Sequence, residues 1–253
     1  MTTNNNGSLK TNAIEKTKEF VKKYMAKYDP SHDWFHVERV VRQAIRLAQD
    51  ETKKPDSPEI DMEIVCLAAL LHDVDDEKYK SMNQDNSDFS TIKFLAESAG
   101  LEQSRAEKVD RIVRSISYRQ ELKYIEDKAK GTIDPSEEEW RKACLEWQCV
   151  QDADRLESIG AFGIARCMAF SAARNRPLFD PSDSMASDMT FAKYQEKTAK
   201  NEGSAVQHFF EKLFKISGLM KTDSGKKEAK KRHEFMKTYI DQLNDEYDFG
   251  MSY

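Results

Sequence analysis

Apolar residues along this chain recur every three to four positions in long stretches, the spacing of helices that bury one face. The first stretch spans about residues 11–28. It ends before Asp29-Pro30, because a residue preceding proline resists the helical conformation. A second begins after Pro30-Ser31 and runs to about Glu51. Its stripe is His36, Val40, Ala44 and Leu47, flanked by Val37, Val41, Ile45 and Ala48, so His36 is expected to point into the core. Ser57-Pro58-Glu59 has the chemistry of a helix start: a capping hydroxyl, proline in the first turn and an acid at the positive end of the dipole. The helix predicted from Ile60 to about Asp73 is apolar nearly all round, which places it in the middle of a bundle. It opens onto the polar run His72-Asp73, followed by Asp75-Asp76-Glu77-Lys78.

Further on, the pattern predicts a loop over residues 80–87 and helices at about 88–99 and 103–117. Glu121 to Pro135 is polar and reads as an irregular excursion. A long helix follows over about 137–174, with a break near Gln148–Gln151 as an option. Asp154, Ser158, Ala161 and Ala165 then share one face, and Gly160 and Gly163 let a neighbouring helix come close. Asn175 to Ser187 holds two prolines and reads as a loop, before helices at about 189–219 and 226–247. There is no internal repeat and no sharp linker. The reading is a single all-α fold over residues 11–253, with a core at about 20–174 and a C-terminal helical extension at about 189–247. The opening MTTNNNGSLK reads as a disordered tail of ten residues.

Composition agrees with helices: nine Gly and six Pro in 253 residues leave few breakers. The net charge of −5 gives no reason to expect nucleic-acid or membrane partners. The N-terminus lacks the apolar segment of a signal peptide, and no run approaches the length of a membrane span. Cys66, Cys144, Cys149 and Cys167 form no C-x-x-C and are expected to be reduced and buried, as in a cytoplasmic protein. The long C-terminal helices are free either to cap the core or to form a homodimer interface.

Four residues carry the chemistry. His36, His72, Asp73 and Asp154 each fall at a core-facing or helix-end position on three different helices. Two neutral imidazoles and two carboxylates suit one divalent ion such as Mn, Fe, Co, Ni or Mg. Four protein ligands on an octahedral ion leave two positions for water or a substrate oxygen, as a catalytic site requires. Each residue alone has an ordinary alternative. His36 reads equally as a hydrogen-bonded core histidine, and a second His-Asp dipeptide stands at His32-Asp33. Asp154 sits among small apolar residues and needs a cation or a metal, the plain option being Arg166 or Arg114.

The order H … HD … D, with SHDWFHVERV, LAALLHDVDDEKY, the SISYR segment and VQDADRLESIGAFGIAR, resembles the HD-domain metal-dependent phosphohydrolases. Within them it is similar to a bacterial and fungal subgroup that includes nucleotide pyrophosphohydrolase-like members. The stretch HFFEKLFKISGLMKTDSGKKEAKKRHEFM extends the likeness to about residues 20–247. The resemblance implies an HD-domain helical bundle with additional C-terminal helices. It also implies one metal on His36, His72, Asp73 and Asp154, with Asp154 rather than Asp152 as the ligand of QDADR. The implied activity is hydrolysis of a nucleotide-like phosphate ester or pyrophosphate by a metal-activated water. The alternative is an HD scaffold that senses metal and nucleotide without turnover.

Around that set the residues offer further roles. Asp76 is the candidate general base, against a solvated loop acid. His32, four residues before His36, is a candidate for orienting phosphate or protonating the leaving group, against a surface histidine. Arg155 matches a position that is basic in several family members and is a candidate phosphate contact, against a surface pair with Asp152 or Glu157. His208 and Lys212, four apart, are candidates for substrate binding, against a surface helical pair. Trp34, Phe35, Phe162 and Phe191 are expected to pack in the core.

Overall fold

Helix starts in this chain are set by short side chains that accept the N–H groups a first turn leaves over. Thr11 caps α1 (Asn12–Met25), Asp33 caps α2 (Trp34–Thr52) and Asp61 caps α3 (Met62–Leu71). This is a computed structural model, and it describes residues 2–3, 9–74, 89–183, 190–200 and 202–251. Among them, every regular element is helical apart from an antiparallel pairing of Thr2-Thr3 with Leu9-Lys10. No helix among the described residues is long and apolar enough to cross a membrane.

The residues gather into two compact units. The first takes the chain up to Tyr28 and from His32 to Asp154. It contains α1, α2, α3, α4 (Thr91–Lys93, continued by a π-helical run Phe94–Ala99), α5 (Gln103–Ile116), α6 (Tyr118–Ala129), α7 (Pro135–Ala143) and most of α8 (Leu145–Glu157). Its centre is α3, packed against α1, α2 and α5. Every residue from Glu63 to Leu71 is buried, as expected for a helix with no polar face. Each Leu, Ile or Val so enclosed contributes about 1.5–3 kcal/mol over an exposed position.

The start of α3 is tied down by charge. Arg105 on α5 reaches Asp61 and Glu63 through its two terminal nitrogens, each at 2.6 Å. The Glu146 carboxylate on α8 accepts from the Asp61 N–H at 3.1 Å and from Lys108 at 2.8 Å. Burial alone would raise the Glu146 pKa, but these donors outweigh it and hold it below the ordinary glutamate value.

The second unit comprises Asp29–Ser31 and the chain from Arg155 onward. It holds α9 (Gly160–Ala173), α10 (Phe191–Lys200), α11 (Ala205–His208), α12 (Phe214–Ile216) and α13 (Asp223–Gly250). A π-helical run, Phe209–Leu213, joins α11 to α12. α9 packs on α13. Gly160 adopts φ +74°, and a Cβ there would lie 2.9 Å from Cγ of Arg232.

Several expectations are corrected. The segment from Glu121 is not irregular: α6 continues to Ala129, capped by Ser117. The long helix over 137–174 is three helices, interrupted at Cys144, which is extended (φ −84°, ψ 90°), and at Ser158-Ile159. Asp154 and Ala161 therefore do not share a helix face. Gly163 faces the Ser158 carbonyl of the preceding turn rather than a neighbouring helix. α3 starts at Asp61, not at Ser57, and the 189–219 helix is divided around Gly203 (φ +82°). Phe35 and Phe162 are exposed rather than core residues, and Cys167 is half-buried. All four cysteines are free, and burial pushes the Cys66 thiol up to about 12. The loop expected over 80–87 lies outside the described residues.

Glu146→Gln is expected to cost about 1–2 kcal/mol, since it removes a charge-assisted acceptor from a buried junction. Because the folded pKa is depressed, this contribution is present above the unfolded value and is lost as pH falls through the folded one. The gap in melting temperature between wild type and Glu146→Gln, measured across a pH series, should be full at neutral pH and close below about pH 4.

Candidate metal centre

α2 delivers the first donor. The Asp33 carboxylate accepts the His36 backbone N–H at 2.9 Å, so the cap that starts the helix also fixes the residue bearing the imidazole. This accounts for the second His-Asp dipeptide: its aspartate is a helix cap. The His36 side chain is fully buried on the stripe formed with Val40, Ala44 and Leu47.

α3 delivers the next two. Leu71 is its last residue, His72 its C-cap, and Asp73 follows at once. Nδ1 of His72 lies 2.8 Å from the carbonyl oxygen of Ala69. A carbonyl accepts only, so in the neutral ring Nδ1 carries the proton and Nε2 keeps its lone pair. That arrangement orients a ligating histidine. The sequence gave no direct signal for the Ala69 contact, though a histidine at a helix C-terminus stands within reach of the carbonyl three residues back.

The donors converge. Nε2 of His36 lies 3.2 Å from Nε2 of His72 and 3.2 Å from Oδ2 of Asp73. Nε2 of His72 lies 3.3 Å from the same oxygen and 3.8 Å from Oδ1 of Asp154 on α8. Two ligands about 2.1 Å from one ion sit roughly 3.0 Å apart at an octahedral edge and roughly 3.4 Å apart at a tetrahedral one. The three shortest separations fall between those limits. His36, His72 and Asp73 thus form a group that could hold a metal ion.

Electrostatics point the same way. Burial would push the His72 imidazolium down, but the charge and hydrogen bond of Asp73, with Asp154 beyond, hold His72 up at about 9. Asp73 is held well below the ordinary carboxylate range in spite of burial, by His72, by the hydrogen bond with His36 and by His32. A pocket that draws positive charge onto a buried imidazole suits a cation.

Of the other candidates, His32 is brought to this group. It precedes the cap of α2 instead of lying on the helix, and its half-buried ring sits 5.8 Å from that of His36. Arg155 follows Asp154 on α8 and is buried, not a surface residue. Arg114 binds Asp110 at 2.6 Å, and Arg166 donates to the carbonyls of Ser31 and Glu157. His208 and Lys212 lie in the second unit, both half-buried, with a π-helical run starting directly after His208. Asp76 lies outside the described residues.

A family model described as the HD domain matches residues 34–159, a span that begins with α2 and contains all four donors. This chain belongs to the HD-domain superfamily. Over 231 residues it is 29% identical to the uncharacterized protein YpgQ of Bacillus subtilis (strain 168), covering 90% of this chain and 91% of YpgQ. The crystal structure of YpgQ in complex with ADP matches with a TM-score of 0.64 and 28% identity, over 92% of this chain and 97% of that one. An HD-superfamily hydrolase from Bacillus thuringiensis matches with a TM-score of 0.61 and 29% identity, over 94% of this chain and 99% of that one. A protein of Lactobacillus plantarum matches with a TM-score of 0.73 and 26% identity, over 95% of this chain and 99% of that one. The HD fold supports a metal-dependent phosphohydrolase in general terms.

If the HD group holds a metal, His36→Ala and His72→Ala should each abolish stoichiometric Mn or Co retention after gel filtration, read by elemental analysis, while helical content stays near wild type. Retention equal to wild type in both variants would remove the group from consideration.

Proposed function

We propose that this HD-domain protein hydrolyses a nucleotide-like phosphate ester or pyrophosphate, using one divalent ion held by His36, His72, Asp73 and Asp154. The carrying observation is the convergence of buried imidazole and carboxylate donors at ligand spacing at the end of α3. The nucleotide part is supported by YpgQ, a relative along nearly its whole length, whose structure was solved with ADP. The donor set suits Mn, Fe, Co, Ni or Mg. Such an ion supplies polarisation of a phosphoryl oxygen and a more acidic bound water.

The chain's own groups supply the rest. The Ala69 carbonyl keeps the Nε2 lone pair of His72 directed at the group, and Asp33 keeps His36 in place. His32, beside His36, is assigned to holding a proton for the leaving oxygen. Asp76 is assigned as general base on sequence grounds. Arg155, His208 and Lys212 are assigned to substrate binding, where positive charge offsets the charge of a phosphate.

Protein loaded with Mn or Co is expected to release phosphate or pyrophosphate from at least one member of a nucleotide panel, with phosphorus NMR identifying the product. Asp73→Ala should fall to the blank. His32→Gln should lower kcat by about 100-fold or more with metal content unchanged, the usual contribution of a general acid. No release above Asp73→Ala on any nucleotide would sink the reading. Tight nucleotide binding with zero turnover would favour a sensor instead, a role equally compatible with a relative that binds ADP.

A further inference from the structure

The charges of α13 run against its own dipole. From Ser224 to Lys237 stand six bases, Lys226, Lys227, Lys230, Lys231, Arg232 and Lys237, against two acids, Glu228 and Glu234. From Thr238 to Gly250 stand four acids, Asp241, Asp245, Glu246 and Asp248, and no base. A helix is positive at its N-terminus and negative at its C-terminus, so acids are favoured early and bases late. Only Asp223 in the first turn follows that rule, and the last turn carries no base.

The same helix exposes aromatic rings. Gly225, Ala229, Met236 and Ile240 form its buried face, while Phe235 is 52% exposed and Phe249 is 73% exposed. The two rings are fourteen residues apart, about 21 Å along the axis and only about 40° around it, so they share one flank. Beside Phe235 the chain forms a groove of about 270 Å³, lined by Ile159, Ala161, the exposed Phe162, Lys231 and Phe235. A second phenyl ring fits such a groove.

We propose that this face binds a second copy of the chain, two α13 helices lying antiparallel about a two-fold axis, with Phe249 of each copy seated in the Phe162–Phe235 groove of the other. Antiparallel pairing lays the basic half of one helix along the acidic half of its partner, and it also opposes the two dipoles. Parallel pairing would set base against base and acid against acid. A two-fold axis makes the contact self-complementary, so it closes at two copies. With Phe235 opposite Phe249, the axis passes at Gln242, midway between them. A stable interface takes about 800 Å² from each partner. One helix flank plus the groove is at the low end of that range, so the dimer dissociates on dilution and weakens with salt.

The test is sedimentation velocity on the full-length protein at several concentrations and ionic strengths. Wild type is expected to form a dimer that weakens with salt. The double variant K230E/K231E sets acid against acid, and D245K/E246K sets base against base. Each alone should be monomeric, with at least tenfold weaker association and unchanged helical content. Mixing the two should restore a dimer, since one copy is then acidic along the whole flank and the other basic. Restoration by mixing cannot come from misfolding. Phe249→Asp should also give a monomer. A wild type that stays monomeric at every concentration assigns the face to some other partner and overturns the proposal. So do charge variants that remain dimeric, or a mixture that stays monomeric.

Discussion

A helix buried on every side has to end somewhere, and that constraint organises the first unit. α3 offers no polar face from Glu63 to Leu71, so it forms only where α1, α2 and α5 enclose it. Its last carbonyls and the next side chains then emerge in the interior, where unpaired polar groups are costly. His72 deals with one of them by placing Nδ1 against the Ala69 carbonyl. That leaves a second ring nitrogen and the Asp73 carboxylate facing His36 in a dry space. The centre is the termination of the most buried helix, and a cation satisfies there what backbone and water cannot.

The other end of α3 meets the opposite requirement. Its N-terminus exposes N–H groups and positive partial charge. Asp61, Glu63 and Glu146 collect there, and Arg105 and Lys108 neutralise them. The same helix is thus held by acids and bases at its start and by a cation-seeking cluster at its end. The first arrangement fixes stability, and the second is available for chemistry.

How much of this was legible in the sequence depended on range. The 3.6-residue stripe of α2 placed His36 inward, and the unbroken apolar run placed α3 at the centre, because both signals are local and strong. The family pattern then joined Asp154 to the set across eighty residues, which periodicity alone does not do. Competition between neighbouring signals was harder to read. Ser57 and Asp61 are both good caps, and the choice falls to Asp61, whose N–H is also claimed by Glu146 from α8. The breaks at Cys144 and Ser158-Ile159 have no proline or strong turn pair to announce them. The second break is fixed by Gly160 at positive φ, with Arg232 from α13 closed against it, a contact more than seventy residues distant. Polar α6 looked irregular because a solvent-facing helix and a loop have similar composition. The Ser117 cap distinguishes them only once the chain direction is known.

α13 shows why charge order deserves separate attention from charge content. Its net charge is nearly balanced, and a count alone would describe an ordinary solvated helix. The order places bases where the dipole is positive and acids where it is negative, at a cost of about 0.3–1 kcal/mol for each charge near an end. Isolated helices gain from the reverse order, so this arrangement has to be offset by something outside the helix. Within the second unit, the buried face is occupied by small and apolar residues and supplies no compensating charge. The compensation therefore has to lie along the exposed flank, where Phe235 and Phe249 mark an apolar seam two heptads long. The surface with the required polarity, length and spacing is that flank itself, turned end for end.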